Sequence, residues 1–176
     1  MADAPHNEFE RLVRVRHLPA GELVIEADAT ERVRLAGRLG ICALNALTAR
    51  VQLDPDGEGV RATGTLTALI EQDCAVAGEP FASEVKEPLD LLFVPEQLMT
   101  ATPAEEVELA ADELDEIPFT GDSFDLGEAL AQTLALAIDP YAEGPDADRV
   151  RAAAGIGSDA EPSGPLAEAL AGLKLN

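Results

Sequence analysis

Hydrophobic and polar residues alternate along much of the N-terminal half with the two-residue period of β-strands. The alternating stretches are residues 8–16, 22–27, 44–53, 59–70 and 81–94. Pro19-Ala20-Gly21 separates the first two stretches and Asp54-Pro55-Asp56-Gly57 separates the next two, so each pair is expected to form a hairpin. Pro88 is expected to place the middle of the last strand at an edge, a bulge or a break.

Two other stretches follow the helical period instead. Asp125 can accept hydrogen bonds from the first turn of one helix, and Glu128 can reach back to it. The apolar stripe of that helix consists of Leu126, Ala129, Leu130, Thr133, Leu134, Ala137 and Ile138. Pro140 should end it. Thr30 is expected to cap a second helix, which runs to about Arg38.

The remaining segments lack a clear period. Residues 95–120 are acidic and indicate a solvated loop, although Glu105 to Ala110 could form an edge strand. Residues 146–165 suggest a flexible linker, and four leucines at helical spacing predict a short docking helix over 166–176. The remainder, 1–145, is expected to form one α+β domain. We expect an antiparallel sheet of about five or six strands, which could close into a barrel, with two helices packed on one face.

Acidic residues are concentrated in the second half of the chain. The formal net charge is -22, and residues 71–148 carry twenty-one carboxylates against the single Lys86. A surface of this kind repels phosphate backbones and favours basic partners. The residues expected to bind a basic partner are Asp112, Glu113, Asp115, Glu116 and Glu128.

Arginines are concentrated near the N-terminus, where residues 1–66 hold eight of them against ten carboxylates. They could form one positive patch that contacts RNA, or they could be scattered and paired with nearby glutamates. The six candidate RNA contacts are Arg11, Arg14, Arg16, Arg32, Arg34 and Arg38.

Catalytic and metal-binding patterns are not visible in the sequence. Cys42 and Cys74 stand alone, His6 and His17 lie near the terminus, and no glycine-rich phosphate loop is present. We therefore expect no cofactor and no metal, with an unrecognised hydrolase as the alternative. The chain has no apolar run near the ~20 residues of a membrane helix, no secretory signal and no disulfide framework, so a cytoplasmic location is expected.

Several short motifs occur in a distinctive order: ADATERVRLAGRLG, then the Gln72 to Pro80 segment, FVPE, FDLGEALAQTLALAIDPY and a terminal LAEALAGLK. This order resembles the bacterial large ribosomal RNA subunit accumulation protein family, or YceD family, in its alphaproteobacterial form. The resemblance implies a non-enzymatic role in the synthesis, processing or stability of 23S ribosomal RNA. The positions that carry it include Gln72, Cys74, Glu79, Pro80, Asp125, Leu126, Gly127, Asp139, Pro140 and Tyr141.

Two departures from the family pattern change what the resemblance implies. Family members often carry a Cys-x-x-Cys pair, but Glu71 stands three positions before Cys74. Basic residues that typically follow the Asp-Pro-Tyr motif are also missing, and Glu143 adds a negative charge. Together with the net charge, this favours binding to a basic ribosomal protein or the pre-ribosomal large subunit. Direct contact with rRNA remains the alternative.

Overall fold

The computed structural model describes residues 8–99 and 115–155. The strands are β1 Leu12–Arg14, β2 Leu23–Glu26, β3 Ala43–Asp56, β4 Gly59–Asp73, β5 Pro80–Pro95, β6 Asp115–Phe119 and β7 Ser123–Asp125. The helices are α1 Ala29–Leu39, α2 Glu96–Met99, α3 Leu126–Ala137 and α4 Ala147–Ala154. The described residues of Met1–Gln72 and Ala82–Asp139 form one compact unit, and those of Asp73–Phe81 and Pro140–Asn176 form a second.

A five-stranded sheet with the order β2-β3-β4-β5-β6 forms the larger part of the fold. The first two pairings are antiparallel, but β6 runs parallel to β5 from Leu91↔Asp115 to Pro95↔Phe119. The expected antiparallel sheet is therefore a mixed one, since the long connection over residues 96–114 allows the chain to return in the same direction. In the described part of the chain β2 and β6 are the outer strands, so the α+β fold is not a closed barrel.

The predicted hairpin around Asp54 to Gly57 is confirmed. Strands β3 and β4 pair as far as Asp56↔Gly59, and Gly57 takes the left-handed conformation, with φ 58°, that the tight turn requires. Strand β5 is continuous through Pro88 and is not split. Its pairing with β6 begins only at Leu91, so Pro88 occupies an edge position, where proline is tolerated.

The predicted first hairpin is wrong. Strand β1 pairs with β7, whereas β2 pairs with β3. Hydrogen bonds from the Leu126 amide to the Arg11 carbonyl and from the Val15 amide to the Asp122 carbonyl, both 3.0 Å long, extend the β1–β7 pairing at its two ends. Strand β1 is thus paired with a distant segment of the chain and not with its neighbour in sequence.

Both predicted helices are present in the first unit. Helix α1 is capped by Asp28 rather than Thr30: the Asp28 carboxylate accepts from the Thr30 and Glu31 amides, and Glu31 accepts from the Asp28 amide, which completes a capping box. Helix α3 begins after Asp125, whose carboxylate accepts from the Glu128 amide at 3.2 Å. It ends before Pro140, as predicted.

The core of the first unit joins the two helices to the large sheet. Leu35 of α1 and Leu126, Leu130 and Leu134 of α3 are fully buried within one apolar cluster. Phe93 of β5 stacks on Phe124 of β7, with ring centroids 4.0 Å apart. Burial of a leucine side chain contributes about 1.5–3 kcal/mol, so these helices are held mainly by their apolar faces.

Some segments expected to be irregular contain regular structure. Residues 115–119 form strand β6 and residues 96–99 form the short helix α2, although a loop was expected over 95–120. Residues 147–154, expected to belong to a linker, form helix α4. The suggested strand over 105–110 and the docking helix over 166–176 lie outside the described residues.

Candidate interaction surfaces

Arg11 is the most extensively bonded of the N-terminal arginines. Its guanidinium pairs with both carboxylate oxygens of Glu31, at 2.7 and 2.8 Å, and donates to the Glu26 carbonyl at 3.1 Å. It also lies 4.5 Å from the centre of the Phe9 ring. The hydrogen bond from Arg11 is the main cause that lowers the pKa of Glu31. Arg11 therefore links β2 and α1 to the N-terminal segment, with its charge compensated.

Arg38 and Arg32 are also engaged within the molecule. Arg38 makes a two-pronged ion pair with Glu128 of α3, at 2.8 and 2.5 Å, and reaches Glu8 at 3.3 Å. Arg32 donates to the Ala27 carbonyl at 2.7 Å. Glu128 was a candidate contact for a basic partner, but its charge is already paired with Arg38 within the protein.

The other three candidate RNA contacts face solvent. Arg14, Arg16 and Arg34 are exposed, and none of them makes an ion pair or a hydrogen bond through its guanidinium to another described residue. The six arginines therefore divide into three that hold elements together and three that are available to a ligand.

The candidate acidic surface lies partly in the described chain. Asp112 and Glu113 are outside it, Asp115 is the first residue of β6, and Glu116 is exposed on that strand. Strand β6 and helix α3 enclose a cavity of about 330 Å³. Its lining comprises Phe93, Ile117, Pro118, Phe119, Phe124, Asp125, Glu128, Ala129 and Gln132. An apolar cavity with two carboxylates and no basic side chain thus lies beside β6.

The Asp125-Leu126-Gly127 motif fastens helix α3 to the N-terminal segment. The Asp125 carboxylate accepts from the Arg11 amide at 2.9 Å in addition to capping α3. A Cβ atom on Gly127 would lie 1.8 Å from the Phe9 carbonyl oxygen, so only glycine permits this approach. Leu126 is fully buried. The three positions therefore have a structural role.

The second unit is built around Cys74. Its amide donates to the Glu79 carbonyl at 2.9 Å, and the Gly78 amide donates back to the Cys74 carbonyl at 2.8 Å, which closes a tight loop. The buried sulfur accepts from the Ala77 amide at 3.3 Å, and this contact, followed by one from Gly144, lowers the pKa of the thiol. The motif residues Glu79, Pro80, Pro140 and Tyr141 of this unit are exposed.

Two motif residues of the first unit remain. Gln72 is buried near the end of β4, and Asp139 is exposed after α3. In the described part of the chain, no group of three or more His, Cys, Asp or Glu side chains is placed to hold a metal ion. None of the described helices combines the length and apolar character needed to cross a membrane.

Comparison with known proteins gives one family. Residues 62–174 match the family model of the large ribosomal RNA subunit accumulation protein YceD. The chain belongs to this family. The YceD match includes the ten motif positions from Gln72 to Tyr141 and leaves residues 1–61, with the ADATERVRLAGRLG segment, outside it. No curated protein and no solved structure gives a significant match.

This YceD family protein also has a cavity that the sequence did not indicate. A space of about 450 Å³ lies between β1 and β2. It is lined by Arg11, Leu12, Val13, Arg14, His17, Pro19, Leu23 and Ile25. No sequence pattern indicated it, because the two strands were expected to pair with one another. Leu12 and Val24 are exposed apolar residues of these strands, at 62% and 51%.

Proposed function

We propose that this protein supports the accumulation of large-subunit ribosomal RNA without catalysing a reaction, by binding a basic ribosomal protein, either free or as a component of the pre-ribosomal large subunit. Membership of the YceD family supports the rRNA connection. The observation that carries the choice of partner is the excess of twenty-one carboxylates over one lysine across residues 71–148. A charge excess of this size attracts lysine- and arginine-rich chains and repels nucleic acid.

The surface proposed for this partner is strand β6 with the adjoining face of α3. Glu116 is exposed there, and the cavity beside it is lined by aromatic rings. The Asp125 and Glu128 carboxylates in its wall are already engaged within the protein, so the free acidic charge comes from Glu116 and the acids before it. Apolar surface next to acidic groups suits a basic side chain, since its aliphatic stem can pack while its charged end is paired. Asp112, Glu113 and Asp115 precede Glu116 directly in sequence and extend the negative charge.

A second mechanism is direct contact with rRNA. Three arginines, Arg14, Arg16 and Arg34, support it because they are exposed and make no ion pair with another described residue. Against it stands the net charge of -22, which opposes approach to a phosphate backbone.

Two charge-reversed variants test these mechanisms. In the first, Asp112, Glu113, Asp115 and Glu116 are all changed to lysine. In its matched control four exposed acids elsewhere are changed to lysine: Asp54, Asp56, Glu58 and Glu84. Affinity capture with and without ribonuclease identifies the partner class, and titration of purified basic ribosomal proteins and large-subunit rRNA gives the affinities. If the proposal is correct, the partner persists after ribonuclease, and the first variant binds it more weakly than the control does.

Salt provides an independent check of the same proposal. The Debye length falls from about 10 Å at 0.1 M salt to about 3 Å at 1 M, so association with a basic partner should slow as salt rises. Tighter rRNA binding by the first variant than by its control, with no affinity for any basic protein, would reject the proposed mechanism. In that case Arg14→Glu combined with Arg34→Glu should abolish rRNA binding.

A further inference from the structure

Strands β1 and β2 each have an open edge at the same cavity. In the described chain, β1 has β7 as its only neighbour and β2 has β3 as its only neighbour. The cavity of about 450 Å³ is lined from both strands, by Leu12 and Val13 on one side and by Leu23 and Ile25 on the other. The two strands are thus separated by a space, although they follow one another in the chain.

The backbone groups at these edges follow from the strand registers. The Arg11 carbonyl and the Val15 amide both form hydrogen bonds at the β7 side. Because backbone groups alternate in direction along a strand, the amides of Leu12 and Arg14 point away from β7. Ala27 bonds to Leu47 of β3, so Val24 and Glu26 turn their backbone groups away from β3.

Arg11 fixes one end of this arrangement. Arg11 directly precedes β1, and its guanidinium donates to the outward carbonyl of Glu26 in β2 at 3.1 Å. That bond shows that the open edge of β2 faces the β1 side. The outward Arg14 carbonyl already accepts from the His17 amide at 3.0 Å, but the outward Leu12 and Val24 amides are strand donors that no described backbone acceptor uses.

The cavity is basic, in contrast to the chain as a whole. Its lining includes Arg11, Arg14 and His17 and no carboxylate, in a protein that carries thirty-four acidic residues. Arg11 is compensated by Glu31, but the guanidinium of exposed Arg14 has no ion-pair partner among the described residues. The five other lining residues are apolar. This chemistry is complementary to a segment that alternates apolar and acidic side chains.

We propose that the β1–β2 cleft binds an extended, acidic and apolar segment of a protein partner as an added β-strand. The backbone of the segment would bond to the open strand edges, and its apolar side chains would enter the cavity. Its carboxylates would meet Arg14. This site is separate from the acidic surface proposed above and takes a ligand of opposite charge, so each can fail without the other.

A labelled heptapeptide that alternates valine and glutamate is the probe, and fluorescence anisotropy measures its affinity for the full chain. The matched peptide has glutamine in place of glutamate, because a lysine peptide would also bind the acidic surface proposed above. Val24→Pro removes the outward amide without touching the β3 pairing, and Val24→Ala is its control because it keeps that amide. Arg14→Glu reverses the available charge, and Arg34→Glu makes the same change on helix α1.

We expect the glutamate peptide to bind and the neutral glutamine peptide to bind about fivefold more weakly, the difference between a charged and a neutral hydrogen bond, since it cannot pair with the charge of Arg14. Val24→Pro should weaken binding by about two- to tenfold, the range for one hydrogen bond, whereas Val24→Ala should not. Arg14→Glu should weaken it more than Arg34→Glu does. Hydrogen exchange should show the Leu12 and Val24 amides protected by the glutamate peptide.

Several results would overturn the proposal. They are failure of the glutamate peptide to bind, equal binding of the glutamine peptide, and unchanged binding by both Val24→Pro and Arg14→Glu. Binding of a single-stranded uridine oligonucleotide in place of the peptide, with loss on Arg14→Glu, would make the cleft an RNA site instead. If Val24→Pro does not fold, Arg14→Glu and the exchange data still decide the question.

Discussion

Arg38 and Glu128 join helix α1 to helix α3 across ninety positions of sequence. Two nitrogens of the guanidinium meet the two carboxylate oxygens at 2.8 and 2.5 Å. The hydrogen bond between them raises the pKa of Arg38 and lowers the pKa of Glu128, in each case as the largest cause. The pair lies partly exposed, so it fixes how the two helices meet more than it stabilises the fold.

This ion pair predicts a specific dependence of stability on pH. Because the pKa of Glu128 is lower when folded, the pair's contribution is complete above the unfolded value of about 4.3 and is lost as the pH falls through the lower folded value. Urea unfolding between pH 3 and 7 should therefore show that the unfolding free energy of Glu128→Gln falls less steeply at low pH than that of the wild type.

A double-mutant cycle measures the pair itself. Arg38→Gln and Glu128→Gln, singly and together, should give a coupling energy of about 0.2–1 kcal/mol. Glu58→Gln, an exposed change in the β3–β4 turn, is the control and should alter the unfolding free energy by less than about 0.5 kcal/mol. A coupling energy of zero at pH 7 would mean that the pair has no energetic role.

Leu134 and Leu136 lie two positions apart on α3 but differ in burial. Leu134 is fully buried, whereas Leu136 is 86% exposed. Leu134→Ala should lower the unfolding free energy by about 2–5 kcal/mol, because it removes buried methyl groups and leaves a cavity. Leu136→Ala, with the same chemical change, should shift it by less than about 0.5 kcal/mol. Equal losses in urea unfolding would contradict the assigned face of the helix.

The two cysteines should react at different rates. The pKa of the Cys74 thiol is lowered by backbone amides, chiefly that of Ala77, which favours the reactive thiolate. Cys74 is only 3% exposed, however, while Cys42 is exposed. Since a reagent must first reach the sulfur, iodoacetamide should modify Cys42 first in the native protein and Cys74 only on unfolding. Mass spectrometry of the digested protein identifies the modified residue, and faster reaction at Cys74 would show that the loop opens.

Local patterns predicted the elements whose contacts are local. The β3–β4 hairpin follows from the turn at Asp54 to Gly57, and α3 follows from its cap at Asp125 and its apolar stripe. In α1 the cap was misplaced by two residues, because Asp28 and Glu31 form a complete capping box that Thr30 cannot form.

Distant pairing explains what the sequence did not predict. Strand β1 lies within the alternating stretch 8–16, but its partner β7 has three residues and is too brief to identify from alternation, so their pairing was not predicted. Strand β6, with Pro118 and two acids, is held by β5 in the same way. The cavity beside β1 follows from that rearrangement, so no local pattern could have indicated it. The sequence also could not separate the exposed arginines from the engaged ones, because that difference depends on contacts between distant residues, such as Arg38 with Glu128.

Two glycines in helices should respond in opposite directions to the same substitution. Gly127 faces the Phe9 carbonyl oxygen, which would lie 1.8 Å from an added Cβ atom, and that oxygen belongs to the backbone and cannot rotate away. Gly127→Ala should therefore force α3 away from the N-terminal segment and weaken the hydrogen bond that the Arg11 amide donates to the Asp125 carboxylate. We expect a loss of unfolding free energy above about 2 kcal/mol, as for other cases of severe overpacking.

Gly37→Ala is the matched change in α1. No atom lies within 4 Å of an added Cβ there, and alanine favours a helix over glycine by about 1 kcal/mol. This variant should be more stable than the wild type by up to that amount, because the substitution adds helix propensity without a clash. Thermal and urea unfolding of the two variants measure the difference. Stabilisation by Gly127→Ala would show that the helix does not press against Phe9, and the structural role of the Asp125-Leu126-Gly127 motif would then have to be abandoned.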